Sequence, residues 1–245
     1  GWTDYESLKK KRKDLVMVTL KGDRHGGPEV DYTVNPSIGI PSITGAEDSL
    51  EPVANALPAW DCIAGNMVVS SLLAAERDRL RTGKGQNVEF ALKDAAAAIV
   101  GHLGMIGEAT ISDEQRRKSG NSLYGAYGQD FECCCGGRVI VIGLTLRQWR
   151  GLLKAMDKID EIKKLEEELS VSLDDEGRRW VHRHEINDIF RPWFAKRKII
   201  EFEKGFNDLG LTWSQFRTMK EAIDEDDDTF ADNPMFETQD FDGIG

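Results

Sequence analysis

The order of apolar and polar positions in the first half of the chain predicts a strand, a long helix and a second strand. Residues 15–20 form a nearly unbroken apolar run, which is typical of a buried strand. From Asp61 onwards, small and apolar residues recur at helical spacing until Gly83, which suits a helix C-terminus. Residues 87–92 alternate in polarity and predict the second strand. This succession of elements predicts an α/β fold with a parallel sheet.

The segments around these three elements carry other local signals. Residues 21–60 are rich in glycine and proline and lack helical periodicity, so they predict loops with short extended pieces. A Thr-x-x-Glu pattern at residues 3–6 is typical of a capping box at the start of a short helix. Asp94 is predicted to cap the alanine-rich helix that follows the second strand. His102 lies among apolar residues and is predicted to pack in the core.

The second half of the chain predicts a smaller α+β domain. Two short strands at 131–134 and 139–142 flank a pair of glycines and indicate a hairpin. Thr145 is predicted to cap a helix with one apolar side, and Pro192 is predicted to break a helix. Residues 211–213 are predicted to be extended. Further helices are predicted over three segments: about 176–191, about 198–209 and the residues after Thr218.

A change of composition divides the two halves. Residues 112–128 are polar and contain glycine, which is typical of a linker. We therefore predict a large α/β domain portion at 1–111, this linker at 112–128, and a small α+β domain at 129–245.

Charge and hydropathy narrow the range of partners. The chain has 245 residues and a formal net charge of −11. Residues 221–245 contain ten acidic residues and neither lysine nor arginine, so the rest of the chain is nearly neutral. This distribution argues against nucleic acid as a partner. No apolar run approaches the roughly 18 to 20 residues that cross a membrane, so we predict no membrane partner.

The cysteines and histidines offer no recognisable metal site. Cys133, Cys134 and Cys135 are consecutive, and on an extended chain they point to alternate faces and cannot converge on one ion. His182 and His184 are two residues apart and diverge on a helix. We therefore predict no metal, and the scarcity of cysteine pairs predicts a reduced, cytoplasmic protein.

Asp61 is the candidate best placed for chemistry. It stands at the predicted start of a long helix, where the dipole and free backbone amides hold a carboxylate ionised. Gly65 follows one turn later and leaves room for a bound molecule. The same position suits ordinary helix capping, and the pattern alone leaves both roles open. His25, in a glycine-rich loop, is a second candidate, although loop polarity also accounts for it.

The residues after Asp61 resemble a recurring segment of the class III CoA-transferases. The family pattern LLAAxxxRxxTGxGQxVxxxLxDA is similar to residues 72–95, with TGKGQ at 82–86. In that family an Asp-x-x-x-Gly element precedes this segment, and its aspartate is the catalytic nucleophile. The resemblance therefore implies that Asp61 is the nucleophile and that Gly65 belongs to the same element.

The same resemblance extends upstream and implies further site residues. The family's upstream acidic residue, which precedes a Thr-Gly pair, corresponds to Asp31 ahead of residues 44–45. The stretch DYTVNP at residues 31–36 is also similar to a branch of the family. The resemblance implies that Asp31, Tyr32, Asn35 and Gly65 contact the substrate or its CoA moiety.

For the whole molecule, the resemblance implies part of an open Rossmann-like parallel sheet with helices, followed by the small domain. It covers nearly the whole chain, but the family's usual N-terminal half and C-terminal return segment have no counterpart here, so we expect a central piece of the enzyme. Family members form interlocked dimers, which implies a homodimer. Coenzyme A is expected as part of the substrate, with no covalently bound cofactor.

The activity implied by the resemblance is transfer of CoA between carboxylates through an aspartyl-acyl anhydride and an aspartyl-CoA thioester. The branch it resembles implies intramolecular C1–C4 transfer on a mesaconyl-CoA-like dicarboxylate. Two alternatives stay open. An acyl-CoA racemase of the same family would have histidine directly before the upstream acid, where this chain has Val30. A catalytically incomplete remnant would fold and dimerise without turning over substrate.

Overall fold

The computed structural model describes residues 2–237 together with Gln239 and Gly243. The chain divides into two compact units, Gly1–Gly120 and Asn121–Gly245. This division falls inside the segment predicted as a linker, and the predicted domain limits at 111 and 129 stay predictions. The end of the acidic tail, including Asp240 and Asp242, lies outside the described residues.

The first unit contains a parallel pair of strands joined by a long helix. β1 and β2 pair in register from Val16 opposite Gln86 to Lys21 opposite Ala91. The order of elements in this unit is α1 (Tyr5–Lys9), β1 (Val16–Lys21), α2 (Asp31–Ser37), α3 (Ile40–Ile43), α4 (Ala59–Thr82), β2 (Gln86–Ala91), α5 (Leu92–His102) and α6 (Met105–Ile111). The predicted strand–helix–strand succession is present, and each strand lies within one residue of its predicted position.

Glycines permit the tight return from α4 to β2. Gly83 follows α4 in the left-handed conformation, with φ of 68°, and its backbone amide donates to the carbonyl of Arg79. A Cβ atom at Gly85 would lie 2.0 Å from the carbonyl oxygen of Leu15, so only glycine fits where the chain passes the start of β1. The close approach brings β2 alongside β1 in parallel.

The core of the first unit forms where α2, α4 and α5 meet. Small side chains on α4 and α5 let the helices approach closely, because alanine adds little bulk to either surface. Trp60 supplies the one large aromatic ring among the buried residues of this cluster, which are Val34, Trp60, Ala64, Leu92, Ala95, Ala96 and Val100. The start of α4 is therefore anchored in the core.

Several local predictions for the first unit are wrong. Residues 21–60 were predicted to form loops but contain two helices, α2 and α3. The prediction missed α2 because the helix is too short to produce a visible periodicity and contains Pro36. Asp4 instead of Thr3 caps α1. Asp94 lies in the first turn of α5 and does not cap it, because α5 already begins at Leu92. His102 is exposed rather than packed in the core, since it ends α5.

The second unit packs helices against an antiparallel sheet. The strands lie in the order β3–β4–β5, with β4 in the centre. The elements are β3 (Tyr127–Glu132), β4 (Arg138–Gly143), α7 (Leu146–Met156), α8 (Ile159–Leu169), α9 (Glu176–Val181), α10 (Arg183–Ala195), a 3₁₀ turn (Ile199–Glu201), α11 (Glu203–Asp208), β5 (Thr212–Gln215) and α12 (Met219–Glu225). The hairpin, the extended segment near 212 and the helix after Thr218 agree with the predictions, but β3 begins at Tyr127, four residues before its predicted start.

Aromatic rings fill the core of the second unit. Tyr127 and Phe131 of β3 contact Phe190 of α10, with ring centroids 5.5 and 6.4 Å apart. Phe131 also stacks on Phe194 at 4.7 Å. Because rings at these separations combine large buried areas with favourable quadrupole contacts, they hold the sheet and α10 together.

The helices of the second unit differ from the prediction in several respects. The helix predicted over 176–191 is two helices that meet at His182, and the one predicted over 198–209 is a 3₁₀ turn followed by α11. α8 was not predicted, although Ile162 is buried and partly buried Leu165 packs against the same core one turn later. Pro192 lies inside α10 and does not end it. The helix continues because Phe190 and Phe194, on either side of the proline, are both buried in the core and hold the chain in helical register.

Candidate active site

Asp61 is the third residue of α4 and its side chain is exposed. The helix begins two residues earlier than predicted, at Ala59, and Pro58 occupies the capping position without a side-chain hydrogen bond. Proline has no backbone N–H. An acidic residue at the third helical position commonly reaches back to the amide of the capping residue, and here that partner does not exist.

The backbone amides at the start of α4 already have acceptors. Ala59 N donates to the carbonyl of Leu57 at 2.8 Å, and Cys62 N donates to that of Pro58 at 3.2 Å. The amides of Trp60 and Asp61 both donate to Oδ2 of Asp31, at 2.7 and 3.1 Å. The expectation that free amides at this helix start hold the Asp61 carboxylate is therefore wrong.

Asp31 and Asn35 lie one turn apart on the inner face of α2. They are 3% and 2% exposed. Oδ1 of Asn35 accepts a hydrogen bond of 3.1 Å from the indole Nε1 of Trp60. α2 therefore binds both the backbone amide and the indole ring of Trp60, and this fixes the position of Asp61, the next residue.

The carboxylate of Asp61 makes no hydrogen bond or ion pair with any residue that the structure describes. Asp94 offers a direct comparison because it is also the third residue of its helix, α5. Asp94 Oδ1 accepts from Arg24, at 3.2 Å from Nε and 2.6 Å from Nη2. The two aspartates share a helical position, but only Asp94 is neutralised by a cation.

The remaining predicted site residues are exposed. Gly65 lies one turn after Asp61, and a Cβ atom added to it would have no described neighbour within 4 Å, apart from its own helix backbone and chain neighbours. Tyr32 is on α2 and is 62% exposed. The structure thus brings Asp31 and Asn35 to the start of α4. It gives no contact that links Tyr32 to them.

A cavity in the first unit lies away from Asp61. It has a volume of about 510 Å³ and is lined by α3, the end of α5, α6 and the residues that follow. Its lining is largely apolar, with Ile38, Val100 and Ile106 among the contributors, and Arg116 is paired with Glu108 at its edge. Since the cavity includes no residue of α4, it does not define the acidic site.

The other candidates from the sequence do not join this site. His25 is exposed in the loop between β1 and α2, where its backbone amide donates to Asp23 at 2.8 Å. Among the described residues, no group of three or more histidine, cysteine or acidic side chains is arranged to hold a metal ion. None of the described helices has the length and apolar character needed to cross a membrane.

Sequence reasoning missed Pro58 and Trp60 as parts of the site. The signal for Trp60 was present in the spacing of Asp31 and Asn35, because residues four apart share one helical face. That spacing was informative only after α2 was recognised as a helix. The missing N–H of Pro58 could be identified from the sequence, but only with α4 starting at Ala59.

The chain belongs to CoA-transferase family III, whose family model matches residues 2–243. The α/β class and the family predicted from the sequence are both confirmed.

Among characterised proteins, the chain is 48% identical over all its 245 residues to 2-methylfumaryl-CoA isomerase of Chloroflexus aurantiacus. It spans 60% of the length of that relative. It is also 24% identical over 200 residues to succinyl-CoA:mesaconate CoA-transferase of Haloarcula hispanica, covering 78% of this chain and 48% of the relative.

Solved structures share the fold. A CaiB/BaiF family protein from Brucella suis aligns with a TM-score of 0.71 and 21% identity, covering 95% of this chain and 60% of its own. A hypothetical protein from Mycobacterium tuberculosis aligns with a TM-score of 0.74 and 17% identity, covering 94% and 60% of the respective chains. At these identities the structural likeness concerns the fold alone.

Proposed function

We propose that this chain carries the nucleophile of an enzyme that moves CoA between two carboxylates, and that Asp61 is that nucleophile. The observation that carries the proposal is the exposed carboxylate of Asp61 at the start of α4, with no hydrogen bond or ion pair from the described residues. Open space beside Gly65, one turn later, supports it because an acyl group could approach there without meeting a side chain.

A carboxylate suits this role because it is ionised at neutral pH and needs no base to activate it. It also forms acyl derivatives that remain reactive towards a thiolate. Hydrogen bonds or a paired cation would stabilise its negative charge and make it a weaker nucleophile. The contrast with Asp94, which pairs with Arg24, supports the choice of Asp61.

The proposed reaction begins when a carboxylate oxygen of Asp61 attacks the thioester carbonyl of the acyl-CoA. The C–S bond breaks, CoA leaves as the thiolate, and a mixed anhydride forms. The thiolate then attacks the Asp61 carbonyl, releasing the substrate carboxylate and leaving an aspartyl-CoA thioester. In the second half the other carboxylate of the substrate attacks this thioester, and the returning thiolate attacks the substrate carbonyl, which regenerates Asp61.

The proposed substrate is a CoA thioester of a mesaconate-like dicarboxylic acid, with CoA moving from C1 to C4 of one molecule. The names of two relatives support this class, since one isomerises 2-methylfumaryl-CoA and another transfers CoA to mesaconate. The chain spans 60% of the length of the first of them. We therefore attribute the full activity to the protein to which this chain corresponds.

The covalent step can be tested by trapping. The chain is incubated with mesaconyl-CoA and hydroxylamine, digested, and analysed by mass spectrometry. We expect a hydroxamate on Asp61, because hydroxylamine cleaves both the anhydride and the thioester at the aspartyl carbonyl. Asp61→Asn should abolish the product, since an amide is a poor nucleophile.

Asp94 provides the matched control, because it occupies the same position in its helix and is paired with Arg24. It should remain unmodified under the same conditions. An unmodified Asp61 in the presence of bound CoA ester would contradict the proposal, and deuterium entering the α-carbon of a chiral acyl-CoA from heavy water would favour a racemase. Absence of CoA binding by calorimetry would favour a non-catalytic role.

We also propose that the protein acts as an interlocked homodimer in the cytoplasm, as the family resemblance implies. Exposed apolar side chains along α4, among them Val69, Leu73 and Leu80, are compatible with burial against a further surface. Light scattering on the purified chain tests the dimer, and a monomeric mass over the accessible concentration range would contradict it.

A further inference from the structure

We infer that Asp31 is a positioning residue that keeps Asp61 available as the nucleophile, by accepting the two backbone hydrogen bonds that the Asp61 carboxylate would otherwise receive. The inference rests on the proposed function in one respect, which is the role of Asp61. It assigns Asp31 a role inside the protein, in place of the substrate contact implied by the family resemblance.

The first step concerns which donors lie near Asp61. Pro58 has no N–H, and the amides of Ala59 and Cys62 donate to backbone carbonyls. The amides of Trp60 and Asp61 are therefore the two donors at this helix start that a side-chain carboxylate can bind. Both donate to the same oxygen of Asp31, at 2.7 and 3.1 Å.

The second step concerns the burial of Asp31. With 3% of its surface exposed, its side chain faces the protein and offers little area to a substrate. Asn35, one turn later on the same face, holds the indole of Trp60. The hydrogen bonds to Asp31 and Asn35 fix the backbone and the ring of Trp60, and through the helix they fix the position of Asp61.

The third step follows from the need of a buried amide at Trp60 and a partly buried amide at Asp61 for an acceptor. If the Asp31 carboxylate is removed, the amides of Trp60 and Asp61 lose their acceptor, and we expect the Asp61 carboxylate, in the same helical turn, to bind them instead. Charge-assisted bonds of this kind stabilise the anion in the ground state and lower its reactivity. Asp31 therefore contributes to catalysis without touching substrate.

The test compares Asp31→Ala, Asp31→Asn and the wild-type chain, with Asp48→Asn as the control. Asp48 is exposed in a loop of the same unit, so its substitution removes the same charge away from α4. The first readout is the rate of hydroxamate formation on Asp61 at varied mesaconyl-CoA. The second is coupling of Asp61 to glycine amide by a carbodiimide, which requires no enzymatic activity.

We expect Asp31→Ala to slow trapping of Asp61 at saturating mesaconyl-CoA by about tenfold, because the hydrogen bonds that Asp61 gains stabilise its carboxylate in the ground state, with KM nearly unchanged. Carbodiimide coupling of Asp61 should slow in parallel. Asp31→Asn should give an intermediate rate, because its amide oxygen still accepts but is neutral. Asp48→Asn should match the wild type.

Wild-type rates in Asp31→Ala, or an effect confined to KM, would overturn the inference. If circular dichroism shows that Asp31→Ala does not fold, the test uses Asp31→Asn instead. A wild-type rate in Asp31→Asn would then overturn the inference. If the wild-type chain forms no hydroxamate, the proposed function fails separately. The carbodiimide rates then still decide whether Asp31 controls the Asp61 carboxylate.

Discussion

At the scale of single residues, the second unit contains a buried guanidinium that forms no ion pair with a described carboxylate. Arg179 is 1% exposed, and its Nη1 and Nη2 donate to the carbonyls of Leu173, Asp174 and Leu144 at 2.8 to 3.0 Å. Its guanidinium also lies 5.5 Å from the ring centroid of Trp149. Burial lowers the pKa of Arg179 from its usual value, because the charged form loses hydration.

Replacement of Arg179 should be costly because three backbone carbonyls lose their donor. We expect Arg179→Met to lower the free energy of unfolding by about 3 kcal/mol, measured by urea denaturation. Arg178→Met is the matched control, since Arg178 is exposed on the same helix, and it should change stability by less than about 0.5 kcal/mol. Equal effects of the two substitutions would contradict this account.

Cys133 and Cys135, at the β3–β4 turn, differ in their surroundings. Cys135 is exposed, and hydrogen bonds from the backbone amides of Ile199 and Gly137 lower the pKa of its thiol. Cys133 is buried, and burial raises its pKa to about 11. The reactive species is the thiolate, so a lowered pKa increases reactivity near neutral pH and a raised pKa removes it.

Iodoacetamide should therefore modify Cys135 before Cys62, which is also exposed, and should leave Cys133 unmodified until the protein unfolds. The rate of modification at Cys135 should begin to rise at a lower pH than that of a free cysteine, because the lowered pKa lets its thiolate form at lower pH. Peptide mapping by mass spectrometry measures the order, with Cys135→Ser to confirm the assignment. Native Cys133 reacting as fast as Cys135 would contradict the prediction.

At the scale of elements, the first backbone amides of α7 and of α4 find their acceptors in two different ways. α7 uses a local capping box, in which Gln148 N donates to Thr145 Oγ1 at 3.2 Å and Thr145 N donates to the Gln148 side chain at 2.8 Å. α4 instead uses the distant carboxylate of Asp31. The local cap could be predicted from the sequence, whereas the distant one depends on how α2 and α4 pack.

The contribution of a capping residue to the free energy of unfolding depends on how much of its helix is buried in the core. Thr145→Ala should lower the free energy of unfolding by about 1 kcal/mol, because α7 contributes Trp149 and Leu152 to the core. Thr218→Ala removes an equivalent capping box from α12, which has no buried residue, and should leave the global unfolding transition unchanged. Urea denaturation of both variants distinguishes these outcomes, and an equal loss would show that α12 unfolds with the core.

At the scale of the whole molecule, the two units differ in how completely their cores are closed. The second unit has a three-stranded sheet and an aromatic core that includes Tyr127, Phe131 and Phe190. The first has a two-stranded parallel sheet within the described residues, and parallel sheets are normally covered on both faces. Its long helix α4 leaves apolar side chains such as Leu73 and Leu80 exposed.

The units should accordingly differ when they are expressed separately. We expect residues 121–245 to fold cooperatively, with a near-ultraviolet circular dichroism signal from the packed aromatic rings. Residues 1–120 should bind anilinonaphthalene sulfonate more strongly, because more apolar surface stays accessible. A broad, non-cooperative unfolding transition of residues 121–245 would contradict the first expectation.

Prediction from the sequence succeeded where the signal was local and strong. The alternation of the strands, the long helix ending at Gly83 and the capping residue Thr145 could all be recognised, because each depends on neighbouring residues. It failed at α2, which spans seven residues and depends on packing against α4. It also failed at Pro192, where the buried rings of α10 override the local preference of proline.

The amino-acid sequence by itself determined the α/β class, the family and the position of an aspartate at the start of a long helix, because these follow from periodicity and from a contiguous motif. Only the tertiary structure decided which group accepts the hydrogen bonds of the backbone amides at that helix start. Asp31 and Trp60 are distant in the chain, and their hydrogen bond exists only because α2 packs against α4. That packing, together with the missing N–H of Pro58, leaves the carboxylate of Asp61 without a partner among the described residues.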